Sequence, residues 1–133
     1  MTGYLIDADW TIDALARAPR VRALDSLLEV GVAISCITIG ELYEGAYRRS
    51  PHPQERIATY RAFLARFEKL PVDEPIAERF AELRAALRRR GELISDFDII
   101  LAAIALEYDL EVLTFNVPHF RRIPNLRIYQ PSP

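Results

Sequence analysis

Five short apolar runs, Tyr4-Leu5-Ile6, Val32 to Ile37, Lys69 to Val72, Val112 to Phe115 and Leu126 to Tyr129, alternate with stretches whose apolar residues fall at helical spacing. Strands this short and this apolar have no face to spare for water. With helical stretches between them, they pack as a mostly parallel sheet covered on both sides. The alternation therefore predicts an α/β three-layer sandwich with a central, mostly parallel sheet. Helical spacing runs from Asp7 through Leu15, from Glu41 to Tyr47, through Ile57, Tyr60, Leu64 and Phe67, and through Ile76, Phe80, Leu83 and Leu87. The segment Ile99 to Leu106 is apolar all round, the mark of a buried helix. A chain of 133 residues, half of them hydrophobic, fits one domain over 1–133 with a real core and leaves no room for a second. Ser50-Pro51-His52-Pro53 reads as a loop, and the tail Pro131-Ser132-Pro133 is expected to fray.

Composition excludes several function classes. No apolar run approaches the ~20 residues of a membrane span, and no signal-peptide pattern opens the chain, so the expected location is the cytoplasm, without membrane contact. The lone Cys36 has no partner for a disulfide and no Cys or His group at zinc spacing; it reads as a small buried filler at a strand end. A net charge of -2 argues against coating nucleic acid through bulk positive charge. The cations are nearly all arginine, Lys69 being the only lysine, with groups at Arg48-Arg49, Arg88 to Arg90 and Arg121-Arg122. Arginine grips phosphate with two parallel bonds, which is compatible with RNA; base composition of the genome accounts for the same bias.

The residues that carry chemistry sit where strands give way to helices. Asp7-Ala8-Asp9 follows the first run, Glu41 comes just after the second, Ser95-Asp96-Phe97-Asp98 opens the buried helix, and Asn116 follows Val112 to Phe115. Each has an ordinary explanation. Thr38 to Glu41 and Ser95 to Asp98 match the capping box, and Asp9 and Asn116 are placed to cap helices beginning near Trp10 and Val117. Taken together they say more, because parallel α/β sheets bind ligands outside the carboxyl ends of their strands, at the point where strand order reverses. Carboxylates gathered there repel one another unless a cation is shared among them. With oxygen donors and no cysteine or histidine assigned, the expected ion is Mg²⁺, with Mn²⁺ able to substitute.

These same segments resemble the PIN-domain ribonucleases of the VapC toxin type, in order and over nearly the whole chain. Leu5-Ile6-Asp7-Ala8-Asp9-Trp10 resembles the opening strand with its first acid. Ser35 to Leu42 with Gly45 resembles the motif of the second, Asp98 to Ala103 that of the third, and Leu113-Thr114-Phe115-Asn116 with Phe120 that of the fourth. The resemblance implies a PIN-like fold and a metal-dependent endoribonuclease that leaves 5′-phosphate and 3′-hydroxyl ends on structured RNA such as a transfer RNA. It implies Asp7, Glu41, Asp98 and Asn116 as catalytic residues. Asp7 and Asp98 would be direct metal ligands, Glu41 would hold a metal water or take its proton, and Asp96 would join the metal site by orienting waters or holding a second ion. Thr11 or Thr114 would contact the scissile phosphate. Two departures are specific to this chain: Asp9 stands where relatives often have Asn, and Asn116 where they often have Asp. The family further implies a cognate antitoxin that lays a helix across the groove, and a homodimer, heterotetramer or larger assembly.

Two other readings stay open. Asp7-Ala8-Asp9-Trp10-Thr11 after an apolar strand resembles the first motif of haloacid-dehalogenase-type phosphatases, with Asp7 attacking phosphorus and Asp9 as acid and base; Lys69 is then the only candidate lysine. A catalytically silent PIN-fold binding module is the other. His52 and His119 read as surface residues, since no serine or cysteine nucleophile is placed to use them, and Trp10, Tyr43 and Tyr47 read as core rather than as platforms for bases.

Overall fold

A computed structural model describes residues 3–131. Four parallel strands, β1 (Gly3–Ile6), β2 (Val32–Ser35), β3 (Glu68–Leu70) and β4 (Leu110–Leu113), form one sheet in the order β3-β2-β1-β4. Seven helices accompany them: α1 (Ala8–Leu15), α2 (Leu24–Val30), α3 (Cys36–Arg49), α4 (Pro53–Phe63), α5 (Glu74–Arg89), α6 (Asp96–Tyr108) and α7 (Val117–Phe120). Side chains alternate across the sheet with the period of two that a strand imposes. Leu5, Ala33 and Val112 enter the core built on α5 and α6, while Ile6, Ile34 and Leu113 enter the opposite core with Trp10, Leu24, Leu42 and Tyr60. Helix α6 is wrapped by protein: Ile99 and Leu101 to Ala105 are all buried. This is the three-layer α/β arrangement that the alternation predicts.

Strand order places β1 in the middle, with β2 on one side and β4 on the other. The chain leaves β1 towards β2 and returns much later as β4, so strand order reverses between β1 and β4. A crevice opens at their carboxyl ends.

Local hydrogen bonding moves several boundaries. Ser35 Oγ accepts from the Ile37 amide at 3.1 Å, so α3 starts at Cys36 and the strand expected to reach Ile37 stops at Ser35. Cys36 is consequently exposed as a first-turn helical residue, not a buried strand-end filler. Thr38 lies inside α3 and is buried, so it does not open a capping box with Glu41. The expected last strand, Leu126 to Tyr129, contributes one parallel bridge between Val112 and Ile128. The helix expected through Phe67 ends at Phe63 and tightens into a 3-10 turn over Leu64–Arg66. A 3-10 turn at Pro19–Val21 and helix α2 fill a stretch that periodicity leaves unassigned. Among the described residues no helix is long and apolar enough to cross a membrane. Ser132 and Pro133 of the tail lie outside the described residues.

Candidate active site

Asp7 is the first residue past β1, and its backbone is held before its side chain is considered. Its amide donates to Leu113 O at 3.0 Å, carrying the β1 to β4 ladder one step further. Its carbonyl accepts from the Thr11 hydroxyl at 3.0 Å. One carboxylate oxygen, Oδ1, accepts from the Ala8 amide at 2.8 Å, which makes Asp7 the cap of α1, and Oδ2 accepts from Thr114 Oγ1 at 2.8 Å. Only 9% of Asp7 is exposed. Burial, and then the negative charge of Asp9, push its pKa up to about 6 against these stabilising bonds, with a smaller push from Asp98.

Asp9 faces the chain that leaves β4. Its Oδ2 accepts from the Phe115 amide at 2.9 Å and its Oδ1 from the Trp10 amide at 2.7 Å, so both oxygens tie backbone together. Burial raises its pKa, opposed by those two bonds.

Glu41 projects from α3 at the same edge, and Asp98 from the first turn of α6, where Ser95 Oγ accepts from the Asp98 amide at 3.2 Å. Burial, then the charges of Asp7, Asp98 and Asp9, lift the Glu41 pKa to about 7. Four carboxylates from two helix starts and one helix interior therefore share one electrostatic neighbourhood, although Asp7 and Asp98 are 91 positions apart in sequence.

Other expected members fall elsewhere. Asp96 turns away and pairs with Arg84 at 2.7 Å, half-exposed, and it is not among the charges acting on Asp7 or Glu41. A first-turn residue two positions from Asp98 lies about 200° round the helix, which takes it off the site face. Thr11 is fully buried against the Asp7 carbonyl, so it is out of reach of a phosphate. Thr114 is 4% exposed; its hydroxyl donates to Asp7 and accepts from the Asn116 amide at 3.0 Å, so it is turned to Asp7 and not to the open groove where a substrate contact is expected. Asn116 sits before α7 but makes no side-chain cap there. Its Nδ2 donates to Asp98 Oδ2 at 3.0 Å instead.

His119 belongs to this site, contrary to the surface reading. Its Nδ1 lies 3.0 Å from Asp98 Oδ2 and 2.8 Å from Asn116 Nδ2. Asn116 and His119 are three apart on one helical turn, a spacing that puts side chains on a shared face and was legible in the chain.

Among the described residues no three Asp, Glu, His or Cys side chains close on one point as a ready-made metal cage. Mg²⁺ does not need one, since it keeps several waters and takes one or two carboxylates directly. The donor set fits that open kind of site: hard oxygens on carboxylates whose pKa values are raised, to about 6 for Asp7 and about 7 for Glu41, first by burial and then by neighbouring negative charge. A groove of about 560 Å³ opens beside Glu41 between α1, α3 and α4, with Ile12 and Phe97 exposed on it and Arg49 and Arg56 at its rim.

Comparison with known proteins agrees with this geometry. A family model described as PIN domain matches residues 4–126. The tRNA(fMet)-specific endonuclease VapC of Salmonella typhimurium is 32% identical over 129 residues, 96% of this chain and 97% of that one. Ribonuclease VapC2 of Haemophilus influenzae is 32% identical over 96% of both. The crystal structure of DNA-bound VapBC from Salmonella typhimurium superposes with a TM-score of 0.87 at 31% identity, over 97% of this chain and 98% of that one. The chain belongs to the PIN-domain family, in its VapC branch.

Proposed function

We propose that the protein is a metal-dependent endoribonuclease, the toxin of a toxin-antitoxin pair, with Mg²⁺ as its cofactor and Mn²⁺ able to replace it. The observation that carries this reading is the gathering of Asp7, Glu41 and Asp98 at the sheet's reversal point, where burial and neighbouring negative charge raise the pKa values of Asp7 and Glu41. The relatives are named ribonucleases and endonucleases, which supports RNA as the substrate. Transfer RNA is the class we assign, since one of them is named for it.

Asp7 and Asp98 would hold the cation, and when bound it supplies a water of lowered pKa for attack on phosphorus. Thr114 fixes the rotamer of Asp7, so the carboxylate is oriented before any ligand arrives. Glu41, with a pKa of about 7, is suited to take a proton from the attacking water near neutral pH. Arg49 and Arg56 stand along the groove, where phosphates flanking the scissile bond would lie. Neighbouring structures are toxin-antitoxin complexes, which supports an antitoxin as the partner and an assembly of a homodimer or larger.

The phosphatase reading does not survive the geometry. Both Asp9 oxygens are taken by backbone amides, leaving no acid or base where that chemistry needs one. Lys69 Nζ donates to Leu64 O at 2.8 Å, beside edge strand β3 and on the far side of the sheet from β4.

The test is incubation of the protein, freed of any bound partner, with total RNA and Mn²⁺, followed by sequencing of the cut ends. Discrete cuts in transfer RNA that vanish with EDTA and with Asp7→Asn are expected. Cutting that survives both would overturn the metal site, and cuts confined to other RNAs would overturn the substrate class.

A further inference from the structure

The contact between Asp98 and His119 is not explained by the carboxylate chemistry above. Asp98 Oδ2, Asn116 Nδ2 and His119 Nδ1 form a triangle with edges of 3.0, 2.8 and 3.0 Å. The Asn116 amide has two N–H groups and serves two of the edges, one to each neighbour. The third edge sets a carboxylate oxygen 3.0 Å from imidazole Nδ1, and with the lone pair of Nδ1 turned to the site it needs a proton or a cation between them. Lone pairs at that distance repel unless something positive lies between them.

A length of 3.0 Å suits a hydrogen bond, and it equally suits two donors on one ion. Donors about 2.1 Å from an octahedral ion, on adjacent corners, stand about 3.0 Å apart. Imidazole nitrogen binds divalent metals at about the same distance. Neither group is sealed in the core, the Asp98 side chain being 16% exposed and that of His119 40%. The short helix that carries His119 is anchored by Phe120, which is fully buried.

We propose that His119 is a nitrogen ligand to the divalent cation held by Asp98, and that it shifts the preference of this site from Mg²⁺ towards Mn²⁺ and Co²⁺. Carboxylate and water suit Mg²⁺, whereas imidazole favours transition ions. The inference rests on the metal-dependent reading above. An imidazole nitrogen has one lone pair, so the ion takes the place of the Asn116 N–H, which remains with Asp98. An aspartate at 116 has no N–H to give, and would set a third acceptor against Asp98 and His119. Asn116 and His119 thus form a matched pair.

The test uses the full chain loaded with Mn²⁺ and pulsed EPR, which detects a nitrogen bonded directly to the ion. Nitrogen coupling is expected in the wild type, altered by [15N]histidine labelling, retained in His52→Gln and lost in His119→Ala. His119→Gln serves as a second variant should the alanine protein fold poorly. By calorimetry the substitutions should weaken Mn²⁺ and Co²⁺ binding about tenfold or more while Mg²⁺ stays near its wild-type affinity. Mn²⁺ bound without nitrogen coupling, and with unchanged affinity in both variants, would overturn the role of His119 and leave the nuclease reading standing. Absence of any Mn²⁺ binding by the wild type would overturn both.

Discussion

The two sides of the acidic cluster are built differently. On the β1 and β4 side, every acceptor of Asp7 and Asp9 has a fixed protein donor, and the surroundings are packed. Trp10 stacks on Phe115 with centroids 5.6 Å apart, and the Arg20 guanidinium lies 3.8 Å over the same Phe115 ring. On the α6 and α7 side, the Asp98, Asn116 and His119 side chains are partly exposed and contact one another, with backbone ties to Ser95 and Thr114. The first side is part of the fold and merely presents a carboxylate. The second is free to rearrange around what binds. A site that must be oriented in advance and still admit a bulky phosphodiester needs both.

The largest expected effect lies between the two sides. Glu41→Gln should lower the single-turnover cleavage rate by about 10²- to 10⁴-fold, as loss of a proton acceptor does, with the circular dichroism spectrum unchanged. A fall of less than tenfold would remove Glu41 from proton transfer.

Next is the rigid side itself. Thr114→Val leaves Asp7 Oδ2 and the Asn116 amide without their hydroxyl, and should cost about 1 to 3 kcal/mol in denaturant unfolding while also slowing cleavage. Thr114→Ser should restore both. If the valine protein lost activity at full stability, Thr114 would be touching substrate after all.

A third expectation concerns pH. Asp7 and Glu41 have folded pKa values of about 6 and 7, above their ordinary 3.8 and 4.5, so the folded protein binds more protons than the unfolded chain between those limits. Their contribution to stability is therefore greatest below pH 4 and is lost as pH rises to about 7. In EDTA the melting temperature should fall by several degrees through that window, beyond any change in an Asp7→Asn, Glu41→Gln double variant. Identical slopes for the two proteins would mean that burial and neighbouring charge do not raise these two carboxylates in solution.

The smallest effect separates site from surface. Asp96→Asn removes a half-exposed ion pair with Arg84 and should change stability by less than about 1 kcal/mol, leaving cleavage intact. Strong loss of activity would restore Asp96 to the cluster and contradict the helix geometry that removes it.

Much of this was legible in the chain. Alternating apolar runs are a local signal, set by what one strand or one helix turn must bury, so the parallel sheet and the placing of Asp7, Glu41 and Asp98 beside strand ends or helix starts follow from short windows. Boundaries were less legible where two hydroxyls competed to cap the same helix. The expected cap was Thr38, whereas the hydroxyl that accepts from the first turn is that of Ser35, which makes Cys36 an exposed first-turn residue.

Partnerships across the chain were not legible at all. That Thr114 serves Asp7, 107 positions away, or that His119 meets Asp98, depends on β4 lying beside β1 and on α7 folding back over the start of α6. The sequence by itself determined the alternation of elements, the acids at their junctions, and the match to a PIN-domain family. Only the tertiary structure decided which of those acids face one another, which hydroxyls are spent on holding them, and that a histidine stands among them. Side-chain type and period are carried by neighbouring residues, whereas proximity at a sheet edge is created by the order in which the strands pack.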